Sequence, residues 1–460
     1  MLFRQLIHND LGCASYLIGD EHAGVAAVVD PRFEIDEYLE LARFMNVRIE
    51  HVLETHNHAD HVSGHGRLAA ATGARIHIHR LAEPDYQHEP FDDGWELQLG
   101  QLTVRALHTP GHRPEHAAFA LIDNARGEEP WAVLTGDTLF VGDVARPDLA
   151  VDRADGARGI FASLQSKLSP LAPETEVWPG HLGGSLCGGP GMDLKTSSTI
   201  GYELRHNSLF SEPDEERFVN QATAKLPPQP PNFQGIVDIN RGPLLTAGVE
   251  ILPLAPRQVE QLRAAKSTLV VDVRTDMQWD EAHITGSVCI TRLHAGFGTR
   301  LAWVVEPGQE IVLVGRDDAD ARSAATLAVA VGVRRLGGFL SGGMTSWRDE
   351  HREVGAVERM RARDLPARLE SDPSVQVVDV RERSEWDEAH LEGSAHCAYH
   401  DLRRLPAEID PGLPVAAICS SGQRSAVAAS LLARHGARTV IHVTDGGVKA
   451  AAAAGHNLVT

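Results

Sequence analysis

The sequence predicts a multidomain α/β protein, and three observations predict it. The chain has 460 residues, about three times the length of an ordinary domain. Its C-terminal half holds a duplicated segment, VVDVRTDMQWDEAHITGS at 270–287 and VVDVRERSEWDEAHLEGS at 377–394. Short apolar runs alternate with helix-type segments, the pattern of strands feeding a largely parallel sheet.

Composition narrows the classes of function. Acidic residues outnumber basic ones 63 to 43, a net charge of −20, and there is no local basic patch, so nucleic acid is not an expected partner. No run approaches the roughly 18 apolar residues of a membrane span. The opening, MLFRQLIHNDLG, lacks the basic and apolar regions of a secretory signal. Five scattered cysteines, at 13, 187, 289, 397 and 419, do not form a disulfide framework. These features set the expectation of a reducing, cytoplasmic location.

In residues 1–245, apolar runs at Val25–Val29, Val52–Leu53, Leu102–Leu107 and Ala132–Leu134 read as short strands. Histidines and aspartates repeatedly follow their C-terminal ends, where α/β folds place their chemistry. The stretch ETHNHADHVSG brings His56, His58, Asp60 and His61 within six positions of one loop. This H-x-H-x-D-H spacing lets imidazoles and a carboxylate converge on a metal ion. Further residues of ligand type stand at later strand ends: His112 in TPGHRPEH, Asp137 in LTGDTLF and His181 in VWPGHLGGSLCGG. Four such strand-end sites argue for a metal centre rather than scattered surface histidines. His77 and His79 alternate along a strand without an acidic companion and read as structural, and His65, His88 and His116 are left outside the ligand set. The proline-rich LPPQPP at 226–231 breaks regular structure and places the end of the first domain near 245.

On these motifs residues 1–245 resemble the metallo-β-lactamase fold, an αββα sandwich with metals at one edge of its sheets. The resemblance implies two possible ligand arrangements. In glyoxalase II-like thioester hydrolases the whole set holds two zinc ions: His56, His58 and His112 one, Asp60, His61 and His181 the other, with Asp137 bridging. In persulfide dioxygenases the residues matching His56, His112 and Asp137 hold one Fe(II), a face that leaves open positions for O2 and a substrate sulfur. His58, Asp60, His61 and His181 would then orient the ligands.

Residues outside the ligand set favour the dioxygenase. FRQL…CASYLIGD, with Phe3, Arg4, Gln5, Cys13 and Tyr16, resembles that subfamily, as does VARPDL, where Arg146 and Asp148 follow the metal aspartate. GSLCGG…SSTIGYELRHN resembles dioxygenases fused to sulfurtransferase domains. Arg146 and Cys187 are expected to meet the substrate. Arg113, standing where the family commonly has a small residue, is expected at the surface.

The duplicated segments are 107 positions apart, as Asp272 and Asp379, Trp279 and Trp386, and His283 and His390 show. That period implies two tandem domains, 250–352 and 356–460, rather than a solenoid. In each, a buried strand (Val270–Val273, Val377–Val380) precedes a helix, and a second strand (Ile311–Val314, Val415–Ile418) precedes a loop and an Ala-rich helix. In the second copy that loop reads CSSGQRS. A strand–loop–helix of this kind points backbone N–H groups inward, which binds anions and favours a reactive thiolate at Cys419. The unit C-x-x-G-x-R, with the upstream VVDVRE…EW…HLEGS, resembles the rhodanese sulfurtransferases. The C-x4-R spacing suits a sulfane sulfur better than the phosphate of a C-x5-R phosphatase loop.

The resemblance implies that Cys419 carries sulfur, that Arg424 stabilises it, and that Ser420, Ser421, Gly422 and Gln423 line the cradle. The first copy has Gly315 in place of Cys419 and reads as degenerate, with a loop two residues longer as far as Arg322 and with Asp317, Asp318 and Asp320 opposing an anion. Cys289 and Cys397 read as small packed residues.

The reading that follows is an iron-dependent persulfide dioxygenase, one Fe(II) per chain, coupled to a sulfurtransferase at Cys419 and acting in sulfide detoxification. It would take a low-molecular-weight persulfide and O2 to sulfite and thiol, with thiosulfate formed or used, in a cytoplasmic homo-oligomer free of membrane and nucleic acid. The alternative is a dizinc glyoxalase II-like thioester hydrolase with rhodanese appendages.

Overall fold

The computed structural model describes residues 1–460 except 190, 225, 265, 266 and 294. The chain divides into two compact units, the first comprising 1–248 with 330–332 and the second the remainder.

The first unit carries two six-stranded sheets. One runs in chain order: Leu2–His8 (β1), Cys13–Asp20 (β2), Val25–Val29 (β3), Arg48–Leu53 (β4), Arg75–His79 (β5) and Glu89–Phe91 (β6). The other comprises Glu96–Leu99 (β7), Leu102–His108 (β8), Ala117–Asp123 (β9), Ala132–Gly136 (β10), Glu176–Pro179 (β11) and Ser198–Thr199 (β12), ordered from β12 to β7. Strand alternation explains how the sheets stack. Ala14, Tyr16 and Ile18 of β2 meet Val104, Phe119 and Leu134 of the other sheet in one core. Leu17, Val28 and Val52 point the opposite way, onto Tyr38 and Ala42 of the helix Asp36–Phe44 and Leu68 of the helix His65–Thr72. The outer face of the second sheet, with Ala118, Val133 and Val177, packs under the helices Arg153–Ser163 and Glu215–Ala224. The result is the expected αββα sandwich. Because both faces of each sheet are covered, β2 and β9 are buried along their whole length.

The second unit contains two parallel five-stranded sheets of equivalent order. The first repeat supplies Pro253–Leu254 (β13), Thr268–Asp272 (β14), Val288–Cys289 (β15), Glu310–Val314 (β16) and Leu336–Leu340 (β17), ordered β13-β17-β16-β14-β15. The second supplies Glu358–Arg361 (β18), Gln376–Asp379 (β19), Ala395–His396 (β21), Val415–Ile418 (β22) and Val440–Thr444 (β23), ordered β18-β23-β22-β19-β21. His390–Leu391 (β20) pairs with Leu458–Val459 (β24) outside that sheet.

The duplicated motif has a structural role. Arg274 clamps Asp272 and the Ala282 carbonyl, as Arg381 clamps Asp379 and the Ala389 carbonyl. Trp279 stacks on His283 at 3.8 Å and Trp386 on His390 at 3.5 Å. No described helix is long and apolar enough to cross a membrane.

Candidate metal centre and cysteine loop

Three of the strand-end residues converge at the sheet edge. His56 follows β4, His112 follows β8, and Asp137 follows β10. Their ligand atoms lie within 4.8 Å of one another in a buried cluster. Asp137 Oδ2 is 3.4 Å from His112 Nε2 and 3.9 Å from His56 Nε2, and none of these three atoms has a hydrogen-bond partner among the described residues. Buried polar atoms without partners are costly, so three aimed at one point fit a cation.

The neighbours prepare each ligand. His56 Nδ1 donates to Thr55 Oγ1 at 2.9 Å, and Thr55 Oγ1 donates in turn to Asp30 Oδ2 at 2.9 Å. His112 Nδ1 donates to the Arg146 carbonyl at 2.9 Å. Both tautomers are thereby set with the Nε2 lone pair facing inward. Burial lowers the pKa of both imidazoles. For Asp137, burial opposes ionisation, but His181 outweighs it and holds the carboxyl at about 2. Two neutral imidazoles and one carboxylate are the protonation states a metal requires. Asp137 reaches the site because Gly136 turns with φ +48°, where a Cβ would come within 2.6 Å of His116 Nε2.

The remaining candidates lie alongside. His181 Nδ1 donates to Asp137 Oδ1 and its Nε2 to Asp60 Oδ2, each at 2.8 Å. Burial opposes its charge, yet Asp137 and Asp60 raise it to about 10. His61 Nδ1 is 3.1 Å from Asp60 Oδ1. His58 turns its Nε2 to Glu54 Oε2 (3.2 Å) and Asp30 Oδ1 (3.3 Å), and these carboxylates raise its pKa well above the ordinary value despite burial. It clusters with Asp60 and His61, and separately with Asp30 and Glu54, and its ring centroid lies 4.3 Å from that of His56.

Cys187 clusters with Asp60 and His181, and Cys13 with His61 and His181. Burial, then Asp60, pushes both thiols well above the usual range, so they stand as neutral thiols.

Two sequence expectations change here. Arg146 is buried and committed: Nε and Nη2 donate to Asp148, Nη1 to the Leu186 carbonyl and Nη2 also to the Pro227 carbonyl. Its side chain is therefore a structural cation rather than a substrate contact, and its carbonyl orients His112. Arg113 is buried, not exposed, and donates to Glu115 Oε1 at 2.6 Å, which also receives the Asn57 N–H. His116 stands beside the centre without joining the ligand cluster: its Nε2 accepts the Asp137 N–H at 2.8 Å, while Nδ1 faces Thr109 and Thr138. Its position one strand-start after His112 was the available signal, and Thr55, Asp30 and Glu54 had none of comparable strength.

In the second unit Cys419 follows β22 and opens the helix Gln423–Arg434. The buried thiol receives the Gly422 N–H at 3.1 Å and lies 3.5 Å from Ser425 Oγ. Arg424 stands beside this loop, with its charge close enough to act on Cys419. It pairs with Glu385 at 2.5 and 2.9 Å and donates to Ser420 Oγ at 3.0 Å, stapling the loop to the helix Arg383–Glu388. Gln423 Oε1 accepts from Arg300 at 3.0 Å, and the Ser420 and Ser421 side chains are exposed.

In the first repeat the position of Cys419 is closed to a side chain. A Cβ on Gly315 would sit 2.7 Å from both Ala321 N and Asp317 O. The loop is not two residues longer. Its helix begins at Asp318, three residues after Gly315, whereas the second repeat's begins four after Cys419. Asp320, in the place of Arg424, is paired with Arg292 and Arg316, and Arg322 lies over the Phe339 ring.

Comparison with known proteins agrees with this architecture. The metallo-beta-lactamase superfamily model matches residues 8–181, and the rhodanese-like domain model matches 255–350 and 362–454. A probable metallo-hydrolase of Burkholderia pseudomallei is 30% identical over 46% of this chain and 81% of its own length. The mitochondrial persulfide dioxygenase ETHE1 of Bos taurus is 28% identical over 39% of this chain and 68% of its own. A cytoplasmic hydroxyacylglutathione hydrolase of Arabidopsis thaliana is 34% identical over 36% and 62%. Among solved structures, a metallo-beta-lactamase from Staphylococcus aureus superposes with a TM-score of 0.67 at 28% identity, over 74% of this chain and 99% of that one. The chain belongs to the metallo-beta-lactamase superfamily. It carries, in addition, two rhodanese-like domains.

Proposed function

We propose that the first unit is an iron-dependent persulfide dioxygenase and that Cys419 carries sulfane sulfur for the same metabolism. The observation that carries the reading is the trio of unpartnered atoms, His56 Nε2, His112 Nε2 and Asp137 Oδ2, in a chain that also holds a cysteine whose sulfur receives the Gly422 N–H. The likeness to a persulfide dioxygenase supports it.

In this reading His56, His112 and Asp137 hold one Fe(II), which when bound supplies open positions for O2 and a persulfide sulfur. The reaction balances as RSSH + O2 + H2O → RSH + SO3²⁻ + 2H⁺. Thr55 and the Arg146 carbonyl keep the two imidazoles in the ligating tautomer. His181 holds Asp137 by its outer oxygen, leaving Oδ2 inward. At Cys419 the persulfide passes its outer sulfur to sulfite, Cys–S–S⁻ + SO3²⁻ → Cys–S⁻ + S2O3²⁻, and the Gly422 amide stabilises the anionic sulfur.

A second reading, a dizinc thioester hydrolase, draws support from the presence of His58, Asp60, His61 and His181 and from the likeness to a hydroxyacylglutathione hydrolase. Metal content discriminates: one iron per chain supports the dioxygenase, two zinc ions the hydrolase. The direct test is O2 uptake by iron-loaded protein with a small-molecule persulfide. A rate no faster than that of His56→Ala would sink the proposal.

A further inference from the structure

Behind the Cys419 loop the two repeats meet in a buried polar chain that neither could form alone. Asp280, in the helix Asp276–Glu281 of the first repeat, lies 2.8 and 3.1 Å from Nδ1 of His442, on β23 of the second. The other ring nitrogen, Nε2, is 2.8 Å from the Gly422 carbonyl. Carboxylate and carbonyl oxygens only accept, so both ring nitrogens donate and the imidazole is held at each end. Asp280 and His442 are both buried, and Arg359 donates at 2.6 Å to Asp280 Oδ2, the oxygen nearer His442.

Gly422 is the residue whose N–H points at the Cys419 sulfur. It sits at φ +107°, a region where glycine is loosely constrained by its own backbone. Its carbonyl is held by Ser425 Oγ at 2.9 Å, by the Ala426 N–H at 3.0 Å and by His442, and His442 is the grip that leads to Asp280 of the first repeat. More of the first repeat leans on the same helix: Trp279 and Cys289 pack on Ala426, the Cys289 N–H donates to Ser430 Oγ at 3.0 Å, and Arg300 donates to Gln423.

The chain runs one way only. Asp387, the counterpart of Asp280 in the duplicated motif, pairs with Arg383 on an exposed surface. Gly338 stands on β17 where β23 has His442.

We propose that Asp280 is a positioning residue for Cys419: the repeat whose own loop has Gly315 instead of a cysteine supplies the carboxylate that sets its neighbour's sulfur-carrying loop. The proposal rests on Cys419 carrying sulfur. In the step tested, Cys–S⁻ + S2O3²⁻ → Cys–S–S⁻ + SO3²⁻, the sulfur–sulfur bond of thiosulfate breaks as the one to Cys419 forms.

The test uses the full chain and two readouts. Persulfide formation at Cys419 from thiosulfate is followed by mass spectrometry, and deuterium exchange of amides 420–424 is measured without any donor. Asp280→Asn is expected to lower the maximal transfer rate about tenfold with little change in half-saturation. The loop amides should exchange at least about tenfold faster, while strand Thr268–Asp272 keeps its wild-type protection. Unchanged transfer and unchanged loop exchange would overturn the proposal. So would faster exchange throughout the unit, which marks a scaffold role. If Asp280→Asn does not fold, His442→Gln breaks the same chain at its other end and is read by the same criteria. If the wild-type protein takes up no sulfur, the reading of Cys419 falls, and the exchange comparison still decides the role of Asp280.

Discussion

His181 grips Asp137 by its outer oxygen, Nδ1 to Oδ1 at 2.8 Å, so that the inner oxygen faces His56 and His112. A histidine in that place acts on the metal through the carboxylate. Removing it should weaken the centre without dismantling it. We expect His181→Ala to lower iron affinity about 10–100-fold, while His56→Ala abolishes stoichiometric iron. Chelator competition with iron measured per chain checks this, and equal affinity in His181→Ala and wild type would refute it.

Arg146 offers a sharper contrast. With four of its five N–H groups engaged and its carbonyl on His112, Arg146→Met should destabilise the first unit by about 2 kcal/mol and lower iron content. Calorimetry and metal analysis read this out. A variant of normal stability and iron content with a raised KM would instead restore the guanidinium as a substrate contact.

Gly315→Cys should not create a second sulfur carrier. The new Cβ would overlap Ala321 N and Asp317 O, and relieving that overlap costs about 1–3 kcal/mol. The expected outcome is a lower melting temperature with no persulfide on the peptide containing residue 315. Sulfur found there by mass spectrometry would show that the loop reopens.

Asp320 makes the stability of the first repeat acid-sensitive. Burial opposes its charge, but Arg316 and Arg292 hold its carboxyl at about 2, against an ordinary 3.8. A folded value below the unfolded one means the contribution is complete above about pH 4 and fades as pH falls toward 2. Asp320→Asn should therefore destabilise at neutral pH, with its unfolding curve converging on wild type near pH 2. A gap that stays constant across that window would contradict the assignment.

The cluster of His56, His112 and Asp137 was legible in the sequence because each member follows a strand, and strand ends are readable from apolar runs such as Val52–Leu53 and Ala132–Leu134. The duplicated rhodanese-like units were legible because the Asp–Arg clamp and the Trp–His stack recur at constant spacing. The arginines were not. Arg146, Arg113 and Arg424 each have long side chains whose direction is decided by a carboxylate, and Glu385 lies 39 residues from Arg424 in the chain. The first repeat's loop was misjudged for a related reason. Matching Arg322 to Arg424 by residue type overlooked that the helix starts earlier there and that Asp320 occupies the position.

The packing around Gly315 also bears on how such a pair of repeats can change over time. Placing a cysteine there is a short genetic path, a single substitution. The structural path is long, because the helix start, the Asp317 carbonyl and the ion pairs of Asp320 would have to retreat together. A copy in this condition works as a ratchet: packed shut where its twin holds a thiol, it can serve that twin more readily than it can take over its chemistry.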